Sequence, residues 1–173
     1  MRRKSSGNLI VDGYNLGRSG SLPLSRNDVS EECRAELCGF LGAYARAKRF
    51  RLTVVFDGQG MGNREQSRLP FKGGTAVFSS GSESADDVIR VLASTAPKGT
   101  VVVTSDRGLA GTLPAGNVTV VSCDEFAARL CAHRMEEIKG SADDDPDRRP
   151  GKKGEGKKPK KRDRERLRAL RKL

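Results

Sequence analysis

The chain has 173 residues, 35% of them hydrophobic and 32% charged, with a formal net charge of +11. That is room for one domain and an appendage, and the apolar fraction is low for a chain packed throughout. No stretch approaches the roughly 18–20 continuous apolar residues that span a bilayer, and a single histidine with no C-x-x-C pair among Cys33, Cys38, Cys123 and Cys131 argues against a zinc site.

The start, Met1-Arg2-Arg3-Lys4, is basic, but only Leu9-Ile10-Val11 precedes Asp12. Such a run is too short for a signal peptide. The expectation is a cytoplasmic protein whose cysteines stay reduced, in the core or on the surface. Asn117-Val118-Thr119 is then a chance glycosylation triplet. Residues 8–11 predict a strand closed by Asp12-Gly13. Residues 31–49 have helical spacing, with Leu37, Leu41, Tyr44 and Ala45 on one side. A second strand over 52–56 is closed by Asp57-Gly58, and a Gly-rich basic loop follows over 58–74. Residues 75–78 predict a short strand. Ser84 opens a helix reaching residue 93, with Val88, Ile89 and Leu92 apolar. Residues 100–104 form a third strand, closed by Ser105-Asp106. A further strand over 117–121 and a last helix over 123–138 complete the pattern. From residue 140 onward there is little to bury until Leu167, Leu170 and Leu173, and 14 Lys/Arg face 7 Asp/Glu. The organisation predicted is one domain over 1–139 and a basic, disordered tail over 140–173. Residues 163–173 can form a short amphipathic helix on contact with a partner.

Strands alternating with helices, the strands being continuous Val/Leu/Ile runs, predict an α/β fold with a mainly parallel sheet covered on both faces. Ligands of such sheets sit beyond the carboxyl ends of the strands. Here three strands end in aspartate at that edge: Asp12, Asp57 and Asp106. Glu83, Asp86 and Asp87 surround the start of the helix that Ser84 opens. Carboxylates gathered on one rim repel, so each must protonate or find a cation. Mg²⁺ or Mn²⁺ suits oxygen ligands and leaves positions for water and phosphate. One or two such ions can generate a nucleophilic water and stabilise the leaving oxygen of a phosphodiester. No other nucleophile or histidine base is in view, since His133, late in the last helix among polar neighbours, reads as solvated. Each acid also has a plainer reading. Asp106 can cap the segment from Arg107, Ser84 or Asp86 can cap the next helix, and Asp57-Gly58 can be a turn. Three strand ends together with an acidic helix start point to a site. An aspartyl-nucleophile phosphatase is disfavoured, because Tyr14 stands where the second acid of Asp-x-Asp would be.

These residues resemble a known family. Leu9-Ile10-Val11-Asp12-Gly13-Tyr14-Asn15-Leu16 resembles the opening motif of NYN domains, in the YacP-like branch of the PIN-like ribonuclease superfamily. Val54-Val55-Phe56-Asp57-Gly58 is similar to that family's second strand. Glu83-Ser84-Ala85-Asp86-Asp87-Val88-Ile89 is similar to its acidic helix start, and Val102-Val103-Thr104-Ser105-Asp106-Arg107 to its third strand end. The match covers roughly residues 8–130 in the expected order. The resemblance implies a PIN-like, Rossmann-like three-layer fold and a domain that cleaves RNA with Mg²⁺ or Mn²⁺. Some members act on messenger RNA at the ribosome. It implies Asp12, Asp86 and Asp106 as principal metal ligands, with Asn15 holding a metal-bound water or a substrate phosphate. Glu83, Asp57 and Asp87 would be auxiliary acids. Many relatives carry a Glu-Gln pair after the third aspartate, where this chain reads Arg107-Gly108-Leu109-Ala110.

Other features concern RNA. Arg64, Arg68 and Lys72 lie among the glycines of the 58–74 loop, which suits a strand passing over the rim and equally suits a solvated connection. Gly58, Gly60 and Gly62 lack the G-x-G-x-x-G spacing of a dinucleotide site. With 5% aromatics and no Trp, extensive base stacking is not expected. Tyr14, beside Asp12, is the candidate for it or a packing residue, while Phe40, Phe56, Phe78 and Phe126 read as core. Arg107 stands next to the third aspartate. In the tail, Lys152, Lys153, Lys157, Lys158, Lys160 and Lys161 form an RNA or ribosome tether, or a solubilising segment. The leading reading is a metal-dependent endoribonuclease. The alternative is a catalytically inactive RNA-binding or adaptor module of the same fold. A junction-specific DNA nuclease ranks below both, for want of additional helical domains.

Overall fold

The computed structural model describes residues 7–24, 30–58 and 64–140, together with Arg171 and Leu173. Chain order is β1 (Gly7–Asp12), α1 (Gly13–Arg18), α2 (Glu31–Lys48), β2 (Phe50–Phe56), β3 (Ser67–Phe71), β4 (Gly74–Phe78), α3 (Ala85–Ser94), β5 (Thr100–Val103), α4 (Arg107–Thr112), β6 (Val118–Val121) and α5 (Cys123–Gly140). One six-stranded sheet has the order β3-β4-β2-β1-β5-β6. Every pairing is parallel except β3 with β4. The chain therefore has the α/β, mainly parallel fold that its strand–helix alternation predicts.

Register explains why the strands carry unbroken apolar runs. Leu9 pairs with Leu52 and Val101, and Val11 with Val54 and Val103. These side chains share one face and pack with Leu16 of α1, Leu37 and Leu41 of α2, and Phe126 of α5. Ile10, Val55 and Val102 point the other way, onto Val88 and Ile89 of α3 and Leu109 of α4. Two cores, one on each side of the sheet, make the third layer necessary. Burying each Val or Leu of these strands contributes roughly 1.5–3 kcal/mol before chain entropy is counted.

The helix starts are written in short polar residues. Ser30 caps α2 through Cys33 N–H, Glu31 and Glu32 occupy its first turn, and Arg46 and Lys48 its last, which complements the helix dipole. Ser84 and Asp87 form a capping box on α3.

Several expectations change. The predicted 58–74 loop contains a strand: Ser67–Phe71 pairs antiparallel with β4, turning at Lys72 and Gly73. Gly73 takes φ +106° and its Cα side lies tight against the Gly42 backbone, so the turn is seated on α2. Pro70 masks the strand in the sequence, yet β3 is an edge strand, where proline is tolerated. Arg68 and Lys72 are thus hairpin residues rather than parts of a flexible loop. Two six-residue helices, α1 and α4, escape the periodicity reading because they are too short to show it and begin or run through glycines. His133 is not solvated: its ring packs edge-on against Tyr44 at 5.2 Å, and Nδ1 lies 3.8 Å from Glu137. Phe40 and Phe78 are half-buried, whereas Phe56 and Phe126 are core. Leu173 is buried in the core cluster of α2 and α5, and its carbonyl accepts the Tyr44 hydroxyl. That leucine therefore packs on the domain rather than facing a partner. The readings of residues 141–170, the six tail lysines among them, lie outside the described residues, as do Gly60 and Gly62. All four cysteines are free thiols. Among the described residues no helix is long and apolar enough to cross a membrane.

Candidate active site

The carboxyl ends of β1, β2, β4 and β5 open on one edge of the sheet, as parallel neighbours must. Asp12 is the last residue of β1 and caps α1, with Oδ1 accepting the Asn15 backbone N–H at 3.1 Å. Its Oδ2 accepts the Thr104 hydroxyl at 3.2 Å. Only 7% of Asp12 is exposed. Burial pushes its carboxyl above the usual aspartate range; the hydrogen bonds from Asn15 and Thr104 pull back, and the charge of Asp86 adds to the rise.

Thr104 joins the separate parts of this corner. It is buried at the end of β5, donates to Asp12, and accepts the Asn15 side-chain amide at 3.4 Å and the Asp106 backbone N–H at 3.1 Å. One donor and two acceptors exhaust a hydroxyl, so the network fixes the side chains of Thr104, Asp12 and Asn15 and the backbone of Asp106. Asn15 also lies near a buried thiol, with Cys123 Sγ 3.9 Å from its Oδ1. Asp106 caps α4 through the Leu109 N–H at 2.9 Å while remaining exposed. The plain capping roles foreseen for Asp106 and Ser84 are therefore real, and Asp12 is a cap as well. Capping uses one oxygen of Asp106; it does not remove the charge from the edge.

Asp86 sits in the first turn of α3, half-buried. Burial raises its proton affinity most, and the charges of Asp106, Asp87 and Asp57 raise it further, against Arg90, whose guanidinium is 3.9 Å away. Its neighbour Asp87 behaves oppositely. Asp87 is exposed, bonds the Ser84 hydroxyl and backbone N–H and pairs with Arg90 at 2.7 Å; these contacts, Ser84 first, hold its carboxyl low. At the end of β2, Asp57 accepts the Ser79 hydroxyl at 3.2 Å, and Ser79 Oγ accepts the Gly58 N–H at 2.9 Å. Glu83 is half-buried after the β4 turn, its backbone N–H bonded to the Ser80 carbonyl.

Asp12, Asn15 and Asp106 thus meet on one hydroxyl, and Asp86 is coupled to them by charge. Asp87 is turned to its helix cap. Among the described residues no three His, Cys, Asp or Glu side chains gather tightly enough to enclose a metal ion. The expected cations are spread: Arg64, Arg68, Lys72 and Arg107 are all exposed, Arg68 bonding Gln66 at 3.4 Å. Tyr14 packs edge-on against Phe56 with centroids 5.3 Å apart, accepts Arg34 at 3.2 Å, and has the Arg18 guanidinium 5.6 Å over its ring. Its hydroxyl is a hydrogen-bonding group and its ring a packing one. Thr104, Ser79 and Arg34 were not singled out from sequence. The only signals were a hydroxyl two residues before Asp106, a serine pair after β4, and an arginine one turn into α2.

A mainly parallel three-layer sheet with aspartates capping short helices at its carboxyl edge defines an open α/β domain whose candidate site lies beyond the strand ends. The chain belongs to the YacP-like NYN domain family, whose model matches residues 9–172. Two crystal structures of Rae1 (YacP) from Bacillus subtilis are similar. One, a tryptophan-to-leucine variant, is 24% identical with a TM-score of 0.54, over 79% of this chain and 86% of that one. The other is 24% identical with a TM-score of 0.52, over 78% and 82%. At that identity the likeness concerns the fold alone. Among curated proteins none matches the chain.

Proposed function

We propose that the chain is a cytoplasmic, metal-dependent endoribonuclease that hydrolyses RNA phosphodiester bonds, with ribosome-associated messenger RNA as the partner its family suggests. The observation that carries this reading is the Asp12–Thr104–Asn15–Asp106 network beside Asp86. It fixes the Asp12 carboxylate and the Asp106 backbone on one hydroxyl, with Asp86 near enough for its charge to act on Asp12 and to feel Asp106.

The donor set fits Mg²⁺ or Mn²⁺. The candidates are all carboxylates; burial raises the proton affinity of Asp12 and Asp86 most, and the charges of neighbouring aspartates add to it. Mg²⁺ keeps several waters and uses only one or two protein carboxylates with substrate phosphate, so a tight three-acid cluster is not required. Asp12, Asp86 and Asp106 would hold the ion, which when bound supplies Lewis acidity toward the phosphate and lowers the pKa of water. Thr104 keeps Asp12 aimed at the edge. The Asn15 amide, on the first turn of α1, orients a phosphate oxygen or water. Glu83 and Asp57 add negative field from the β2–β4 side.

Labelled single-stranded RNA incubated with Mn²⁺, Mg²⁺ or EDTA tests this. Fragments that require metal and disappear in Asp12→Asn are expected; equal cleavage by both proteins overturns the assignment. The segment after Asp106, Arg107-Gly108-Leu109-Ala110 in place of a Glu-Gln pair, favours a second reading, a catalytically inactive RNA-binding or adaptor module. That reading expects salt-sensitive RNA binding and no fragments under any metal.

A further inference from the structure

Next to the acidic edge, α2 and the β3–β4 hairpin enclose a groove of about 460 Å³. Its floor is made by Phe56 and Phe78, register partners at the ends of β2 and β4, stacked at 5.3 Å and 22°. Its outer wall is Leu69, 57% exposed, and Pro70. The thiol of Cys38 also lines it, and burial pushes that group up to about 11, so this part of the wall is uncharged at neutral pH.

The mouth differs from the floor. Glu31 and Arg34 stand there on the first turns of α2, the helix end that faces the carboxyl edge of the sheet. Arg34 lies 5.9 Å from the Phe78 centroid and donates to the Tyr14 hydroxyl. Tyr14 in turn packs on Phe56 and is two residues from Asp12. Groove and acidic corner are therefore joined through one side chain. An apolar slot with a donor and an acceptor at its mouth has the chemistry of a nucleobase: two apolar faces and a hydrogen-bonding edge. The exposed Arg64 precedes the hairpin, where it suits the phosphates of the same strand.

We propose that this groove takes one base of the bound RNA strand, laid against Leu69 and Phe78 with its polar edge toward Arg34 and Glu31. The proposal rests on the ribonuclease reading for the identity of the strand. It turns the β3–β4 hairpin from a connection into a substrate-gripping element, and it makes binding depend on a base at a fixed distance from the cleaved bond.

The test is binding of a fluorescent 12-nucleotide single-stranded RNA in EDTA, where no cleavage occurs, with single abasic residues introduced in turn. For the native chain, one abasic position should weaken binding about tenfold, the scale of losing one stacked base. Leu69→Gln alters an exposed residue and adds no charge. It should weaken the intact RNA by a similar factor and abolish the sensitivity to that abasic position, because the two changes remove the same contact. Metal-dependent cleavage that needs Asp12, together with indifference to every abasic position and unchanged binding by Leu69→Gln, overturns the groove proposal and leaves the nuclease reading standing; the groove would then be free for a protein partner. No binding and no cleavage of RNA by the native chain overturns both.

Discussion

Between β1 and β5 the carboxyl edge of the sheet is polar and tied together by hydrogen bonds; between α2 and the β3–β4 hairpin the surface is apolar and half open. Thr104 makes the first region rigid, since three backbone or side-chain groups from different elements meet on one hydroxyl. The second region is shaped by ring stacking and by a turn seated on α2. Directional bonds fix atoms to fractions of an ångström, as bond-breaking chemistry requires. Apolar contact tolerates different shapes, as gripping a strand of varied sequence requires. One side of the sheet offers both kinds of surface because parallel strands bring all their carboxyl ends to it.

The largest effect expected is at Asp12. Asp12→Asn should lower cleavage by more than about a hundredfold, beyond the ceiling for residues that act on a metal ligand from behind. Thr104→Val should come next, with about 10- to 100-fold lower kcat and restoration by Thr104→Ser. Failure of serine to restore activity would mean that the methyl, not the hydroxyl, matters, and the contrast between the two regions would weaken. Just after β2, Gly58→Ala should destabilise by about 1–3 kcal/mol, because its Cβ would collide with the Ser79 carbonyl; a thermal melt measures it.

The pH profile sharpens the comparison further. Asp12 and Asp86 have raised proton affinities, burial being the main cause. As carboxylates they are needed ionised, so kcat/KM should fall on the acid side at a higher pH than ordinary aspartates would give. Stability runs the other way: their contribution is present at low pH and is lost as pH rises through the raised values. Asp87, held low by Ser84, contributes above the ordinary aspartate range and loses that contribution as pH falls through its folded value. The smallest effect expected follows. Asp87→Ala should lower the melting temperature and leave cleavage intact; a loss like that of Asp12→Asn would return Asp87 to the metal set.

Much of the acidic corner was legible in the sequence. Val101, Val102 and Val103 announce a strand buried on both faces, and such a strand delivers Asp106 to the functional edge. Asp12 follows Leu9, Ile10 and Val11 for the same reason. What separates Asp86 from Asp87 is a 100° rotation about a helix and one serine, which spacing alone does not resolve. Thr104 was hidden because a hydroxyl at a strand end has no pattern until its neighbours in space are known. The groove was hidden because Phe56 and Phe78 meet only through the strand order. The count of aromatics does not tell that Phe56, Phe71 and Phe78 gather in one groove, with Tyr14 against Phe56.

Pro70 has a consequence for how the molecule behaves in a crowd. An open sheet edge bearing an exposed leucine is a template for another chain's strand, and edge-to-edge zipping leads toward aggregation. A proline offers no N–H to an incoming strand. Pro70, beside Leu69 on β3, interrupts that ladder at its middle, and the arginine on Leu69's other side adds charge. Pro70 and Arg68 thus oppose strand addition at the border where Leu69 lies in the open.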